Sequence, residues 1–172
     1  DFHLSDSLGR TWQCGTVQLD SQLPERFELE YTGEDGQKHR PVMLHRVVLG
    51  SIERFIGVIT EHFAGAFPAW LAPVQVKVLP VTDRAADYAD EVAAKLDAQG
   101  FRVEVDKRSE KIGKKIRETT LEKVPYMLVV GDRDMENATV SPRHRSGSDL
   151  GAMSLDEFSA LLDEEVKTKA IK

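Results

Sequence analysis

Val42-Met43-Leu44-His45-Arg46-Val47-Val48-Leu49-Gly50-Ser51-Ile52-Glu53-Arg54-Phe55-Ile56-Gly57 reads as a β-strand that runs directly into an α-helix. Gly50 and Ser51 open the helix, and Ile52, Phe55, Ile56, Ile59 and Phe63 recur at i, i+3, i+4, i+7 and i+11. That recurrence predicts a buried helical stripe. The strand delivers His45 to a sheet face, while Ser51 and Arg54, three residues apart, neighbour each other on one side of the first turn. A helix N-terminus with an added guanidinium is a natural place for a phosphate. On spacing alone, an ordinary strand-to-helix join with a surface arginine is the simpler reading, and a lone histidine after an apolar strand is usually structural.

Upstream, the pattern is that of an antiparallel sheet. Trp12 to Asp20 alternates, with Val17 and Leu19 on one side and Cys14, Thr16 and Gln18 on the other. Phe27 to Tyr31 and Lys38 to Leu44 read as two further strands, joined by the turn chemistry of Thr32-Gly33-Glu34-Asp35-Gly36. Downstream, the prolines of Phe67-Pro68-Ala69-Trp70-Leu71-Ala72-Pro73 bracket a stiff, apolar connection, unlike a Gly/Ser tether, so the two parts are expected to dock. This places a domain division between 1–70 and 71–172.

Beyond it, strands and helices alternate. Val74–Leu79, Phe101–Val105 and Tyr126–Val130 are predicted strands, and Thr139–Arg145 a further one. Ala85–Gln99 is a predicted helix with Tyr88, Ala89, Val92, Ala93 and Leu96 inward, ended by Gly100 in a left-handed conformation. Lys111–Lys123 is a basic helix and Asp132–Asn137 a turn. A closing helix starts at Ser154, which forms a capping-box pattern with Glu157. The expected fold is α/β with α+β: an antiparallel sheet first, then a mostly parallel sheet with an antiparallel strand added late.

Composition bounds the rest. The 172 residues suffice for one domain or one domain plus part of another, and no apolar run nears the ~20 residues a membrane helix needs. Cys14 is the only cysteine, so an intrachain disulfide and a Cys-rich zinc site are excluded, in keeping with a cytoplasmic setting. A net charge of −6 argues against non-specific duplex binding, though not against a local basic patch. The opening Asp1-Phe2-His3-Leu4 reads as the middle of a strand, as an excised piece of a longer chain would.

The 42–57 stretch resembles motif 3 of the class II aminoacyl-tRNA synthetases, in the form of the threonyl-tRNA synthetases. Gly9-Arg10-Thr11-Trp12-Gln13-Cys14-Gly15-Thr16-Val17-Gln18-Leu19-Asp20 and Leu23-Pro24-Glu25-Arg26-Phe27 resemble blocks of the same family. The resemblance covers essentially the whole chain. It implies an enzyme that activates threonine with ATP and Mg2+ and transfers it to tRNA(Thr). Arg54 matches the motif 3 arginine that holds ATP, Ser51 falls at the adenylate site, Gln13 and Thr16 lie near the nucleotide, and Gln18 lies near threonine. Gln13 falls on the opposite strand face from Thr16 and Gln18, so its contact would come from the strand's entry.

His45 matches one of three protein ligands to a zinc ion. In the family, zinc ligates the threonine amine and hydroxyl and so rejects valine, an isostere that an apolar pocket separates poorly. The other two ligands would lie upstream of Asp1, and Cys14 is not at a ligand position. Motifs 1 and 2 are also absent, so the 172 residues alone are not expected to activate threonine. The complete enzyme is expected to be a homodimer.

The basic segment Lys107, Arg108, Lys111, Lys114, Lys115, Arg117 and Lys123 admits a plain reading as a solvated helix face with ion pairs of Glu110 and Glu118 to Lys114. A second cluster is Arg143, His144 and Arg145. Together with Glu110-Lys111-Ile112-Gly113, Val124 to Asp132 and Asp149-Leu150-Gly151, the segment resembles the family's anticodon-binding domain. Loop RNA is read by bonding the edges of splayed bases. Arg143, Asp134 and Lys111 fall at or near the positions that contact the anticodon. The family more often has Glu where this chain has Asp134, Asn where it has Ser109, and Phe where it has Ser21. The alternatives are a stand-alone tRNA- or RNA-binding module with a vestigial synthetase remnant, or a prolyl, histidyl or glycyl relative. The His45-Arg46 pair before Leu49-Gly50-Ser51 favours the threonyl form.

Overall fold

The computed structural model describes residues 1–171, which form two compact units, 1–64 and 65–171. In the first unit, β1 (Phe2–Ser5), β2 (Thr11–Asp20) and a later strand make an antiparallel sheet. Helix α1 (Gln22–Arg26) follows β2, started by Asp20, whose Oδ1 accepts the N–H groups of Gln22 and Leu23 at 2.8 and 3.1 Å. A two-stranded ribbon of β3 (Tyr31–Thr32) and β4 (Lys38–His39) comes next, then β5 (Met43–Val47), which pairs with β2. Helix α2 (Ile52–His62) closes the unit.

Two expected strands are shorter than the sequence suggests. Phe27–Tyr31 yields only its end to β3, because α1 runs to Arg26 and Glu28 turns left-handed, with Arg40 donating to the carbonyls of Pro24 and Leu29. Lys38–Leu44 splits into β4 and the start of β5 around Pro41, which has no N–H to give a ladder. The predicted helical stripe is not buried. Ile52 is 59% exposed and Ile56 51%, and no residue of α2 is fully buried, because one helix and three strands offer too little surface to cover it. Val17 and Leu19 on β2 are exposed for the same reason.

The second unit is organised by a five-stranded sheet. Its elements in chain order are β6 (Val76–Pro80), α3 (Ala86–Ala98), β7 (Val103–Val105), α4 (Ile112–Leu121), β8 (Tyr126–Val130), α5 (Asp132–Asn137), β9 (Thr139–His144), β10 (Met153–Ser154) and α6 (Leu155–Lys167). The strand order is β10-β9-β8-β6-β7, with β6 parallel to both β7 and β8. β9 and β10 are antiparallel additions. Alternate residues Val76, Val78, Tyr126, Leu128, Val130 and Val140 pack on Ala89, Val92 and Leu96 of α3 and on Phe158 and Leu162 of α6.

Phe67 to Pro73 is packed within this unit. Ala69 and Ala72 are buried, and Arg102 donates to the carbonyls of Ala69, Trp70 and Ala72. Ser154 caps α6 with the expected reciprocal bonds to Glu157. Gly100 ends α3 at φ +90°. Asp132–Asn137 is a helix and not a turn, because the Asp134 carboxylate accepts the Gly131 N–H at 2.9 Å and starts it, while Ala138 ends it left-handed. The sheet also carries β10, which the sequence pattern did not separate from the helix start.

Candidate functional site

Gly50 shapes the strand-to-helix junction. Its φ is +67°, and a Cβ there would sit 2.6 Å from the Cys14 carbonyl oxygen, so the chain turns against β2 only with glycine at this point. Ser51 then caps α2, accepting the Arg54 N–H at 3.4 Å and donating to Glu53 Oε2 at 2.8 Å. Its hydroxyl is engaged in holding the first turn. Arg54 is exposed and has no carboxylate partner among the described residues. Its guanidinium lies over the Trp12 ring, 5.5 Å from the centroid.

β2 and β5 set the rest by register. Gln18 is directly opposite His45, and Thr16 opposite Val47. Thr16, Gln18 and His45 share one sheet face, while the β1–β2 ladder shifts register between Gln13 and Gly15, so the alternation reverses there and Trp12 falls on the opposite parity. Thr16 Oγ1 donates to Asp1 Oδ1 at 2.6 Å. Gln13 is exposed, and the register shift gives it the parity of Thr16 and Gln18, where simple alternation had placed it opposite them. His45 Nε2 is 2.8 Å from Asp20 Oδ2. An ionised carboxylate only accepts, so Nε2 is the donor in this bond. The His45 hydrogen bond, followed by the Leu23 N–H, holds the Asp20 carboxyl below its ordinary range.

The imidazole and the guanidinium are thus tied to one strand, at different points along it. The six residue steps along β2 from Trp12 to Gln18 span roughly 20 Å. Asp20 and Trp12 were not singled out from the sequence. Asp20 shares the strand parity of Thr16 and Gln18, which was the available signal for it; Trp12 lies beyond the register shift and carried none.

In the second unit, Lys111 stands at the N-cap of α4, exposed and without an ion-pair partner among the described residues. It lines a cleft of about 420 Å³ with Thr82, Arg108, Ser109 and Lys115, at the carboxyl end of β6. Part of the basic run is internally neutralised. Lys107 meets Asp90 at 2.8 Å, Lys114 meets Glu110 at 2.5 Å, and Arg108 binds both Asp106 and Glu118. Glu118 therefore pairs with Arg108 and not with Lys114, because the loop before α4 folds back along it. Lys115 is buried, donating to the carbonyls of Pro80 and Asp106 at 3.1 and 2.9 Å.

Arg143 lies on β9 opposite Met127, with Nε 3.6 Å from Asp149 Oδ2. Asp134 Oδ1 accepts from Ser141 at 3.0 Å and from Thr139 at 3.4 Å, while Oδ2 caps α5. Ser141 is two residues from Arg143 and on the same strand face, so Asp134 and Arg143 flank one short stretch of β9. Asp134 makes three hydrogen bonds within the protein before any ligand arrives. Arg145 is structural: it donates to the carbonyls of Phe67 and Lys123. His144 packs on Tyr126, ring centroids 5.1 Å apart.

The comparisons with known proteins agree with this division. Residues 75–165 match the anticodon binding domain family, and residues 1–63 match the tRNA synthetase class II core domain (G, H, P, S and T). Threonine--tRNA ligases of Syntrophomonas wolfei and Desulforamulus reducens are 65% and 63% identical over 171 residues, 99% of this chain and 27% of each relative. The chain thus spans about a quarter of the length of these curated relatives. A crystal structure of the RNA binding domain of threonyl-tRNA synthetase from Cryptosporidium parvum superposes with a TM-score of 0.83 at 40% identity, covering 94% of this chain and 41% of that one. The chain belongs to the family in which a class II tRNA synthetase core leads into an anticodon binding domain, in the form found in threonine--tRNA ligases.

Proposed function

We propose that the complete protein carrying this chain activates threonine with ATP and Mg2+ and transfers the threonyl group to tRNA(Thr). Residues 1–70 would contribute the nucleotide end of the active site, and 71–172 the anticodon-reading part. The observation that supports this best is an arginine with open donors, Arg54, in the first turn of the helix that follows the His45 strand, whose face carries Thr16 and Gln18 opposite that histidine. A spread from the strand-to-helix junction along β2 suits an extended ligand, with nucleotide toward Arg54 and Ser51 and the amino acid toward Gln18 and His45. Gln13 would reach the nucleotide from the strand's entry.

Zinc fits His45 as one ligand. Asp20 fixes one ring nitrogen, as carboxylates commonly do for metal-binding histidines, and leaves the other available. Among the described residues no three His, Cys, Asp or Glu side chains cluster as a metal site, so other ligands would come from elsewhere in the complete protein. The ion, when bound, would ligate the threonine amine and hydroxyl. Lys111, Asp134 and Arg143 would meet the anticodon loop, Arg143 through its two-pronged donor and Asp134 by exchanging a hydroxyl bond for a base. The reading includes a homodimer in the cytoplasm. No helix among the described residues is long and apolar enough to cross a membrane.

Arg143→Ala in the complete protein should lower kcat/KM for tRNA charging at least about tenfold while leaving threonine-dependent ATP–pyrophosphate exchange unchanged. Equal charging of tRNA(Thr) and an anticodon-swapped tRNA by the unmodified protein would overturn the anticodon assignment.

A further inference from the structure

The loop between β1 and β2 is built around one buried carboxylate. Asp6, with its side chain fully enclosed, accepts the backbone N–H groups of Leu8 and Arg10 through Oδ1, each at 2.9 Å. Through Oδ2 it accepts Arg10 Nε at 2.5 Å and the Trp12 indole N–H at 2.9 Å. Arg10 continues to Glu61 on the last turn of α2 and also lies over the Trp12 ring, 5.7 Å from its centroid. The indole is therefore fixed at its N–H edge, while its ring carries the Arg54 guanidinium at 5.5 Å.

Two cations on one aromatic ring repel each other, so charge pairing does not explain why Arg54 rests there. Arg54 differs from Arg10 in having no carboxylate partner among the described residues. A guanidinium resting on an aromatic ring keeps its in-plane N–H donors and its outer face open, and the outer face is flat enough to receive a second planar ring.

We infer that Trp12, anchored by Asp6, is a positioning residue that sets the plane of the Arg54 guanidinium for an incoming purine nucleotide. This rests on the proposed assignment of Arg54 to ATP. Trp12 itself touches no substrate. It lowers the cost of holding a long, flexible side chain in one orientation before the nucleotide arrives.

The test is ATP–pyrophosphate exchange by the complete protein with Trp12→Leu, Trp12→Phe and Arg54→Ala. Trp12→Leu should raise the KM for ATP about tenfold and leave that for threonine within about twofold. Trp12→Phe, which keeps a ring face but cannot donate to Asp6, should recover most of the loss. An unchanged ATP KM in Trp12→Leu, with exchange abolished in Arg54→Ala, would refute the positioning role alone. Equal losses for both substrates, with Phe no better than Leu, would reduce Trp12 to a packing residue and refute it too. Near-normal exchange in Arg54→Ala would remove the nucleotide assignment on which it rests.

Discussion

Tyr126→Phe removes one oxygen from the centre of the second unit. Tyr126 is 3% exposed and donates to Glu165 Oε2 at 2.7 Å, and Glu165 is itself 3% exposed. The ring stays and no cavity opens, so the change isolates one hydrogen bond to a buried carboxylate. Such bonds contribute about 2 kcal/mol. Arg145 interacts electrostatically with Glu165, so the carboxylate is not left wholly uncompensated. Hydrogen exchange of the β8 and α6 amides in the complete protein reads this region specifically. Exchange that requires opening of the unit should accelerate about 30-fold, the equivalent of 2 kcal/mol.

The pH dependence has a definite sign. Burial, reinforced by the Glu165 bond, raises the Tyr126 hydroxyl above its ordinary value of 10.0. A group raised on folding contributes fully below its unfolded pKa and loses that contribution only as pH rises through the folded one. The gap between wild type and variant should therefore be constant from pH 7 to 9. Acceleration of under about threefold, or a gap that closes below pH 9, would refute the reasoning.

Two further outcomes are expected. His45→Ala in the complete protein should abolish stoichiometric zinc by elemental analysis, and a full complement would exclude His45 as a ligand. Asp106, 2% exposed in its side chain, is held at about 2 by its bonds from Arg108. Its lowered pKa contributes about 2 kcal/mol of stability above pH 4, lost as pH falls from about 4 toward 2. Asp106→Asn should therefore lower urea resistance at pH 7 and flatten the acid limb, and an unchanged acid limb would contradict this.

Where one element's own residues set its structure, the sequence was legible. Tyr126–Val130 is the strand that its apolar run indicates, and the Ser154–Glu157 pair begins a helix as its chemistry demands. The inward face of α3 follows its period, with Ala89, Val92 and Leu96 buried. What escaped depends on partners distant in sequence or on elements too short to carry a period. Helix α5 has six residues and owes its start to one carboxylate. The α2 stripe has the right spacing, but spacing cannot say whether anything covers it. Lys115 looks like its charged neighbours until two carbonyls, one from β6 and one from the loop after β7, close on it.

The site divides in the same way. His45, Ser51 and Arg54 were visible as residue types at a strand-to-helix join, and Gly50 explains why the join is tight. The bonds that aim two of them, His45 to Asp20 and Arg54 over Trp12, arise from cross-strand register and helix placement. Neither has a signature in local spacing.

Threonine-dependent ATP–pyrophosphate exchange by Arg54→Ala, measured in the complete protein beside wild type at saturating threonine, probes the nucleotide assignment most directly. Exchange should fall by at least about a hundredfold, as expected when a guanidinium that meets developing phosphate charge is removed. Exchange within about threefold of wild type would show that Arg54 is a surface arginine resting on a tryptophan, and the strand-to-helix junction would not be a nucleotide site.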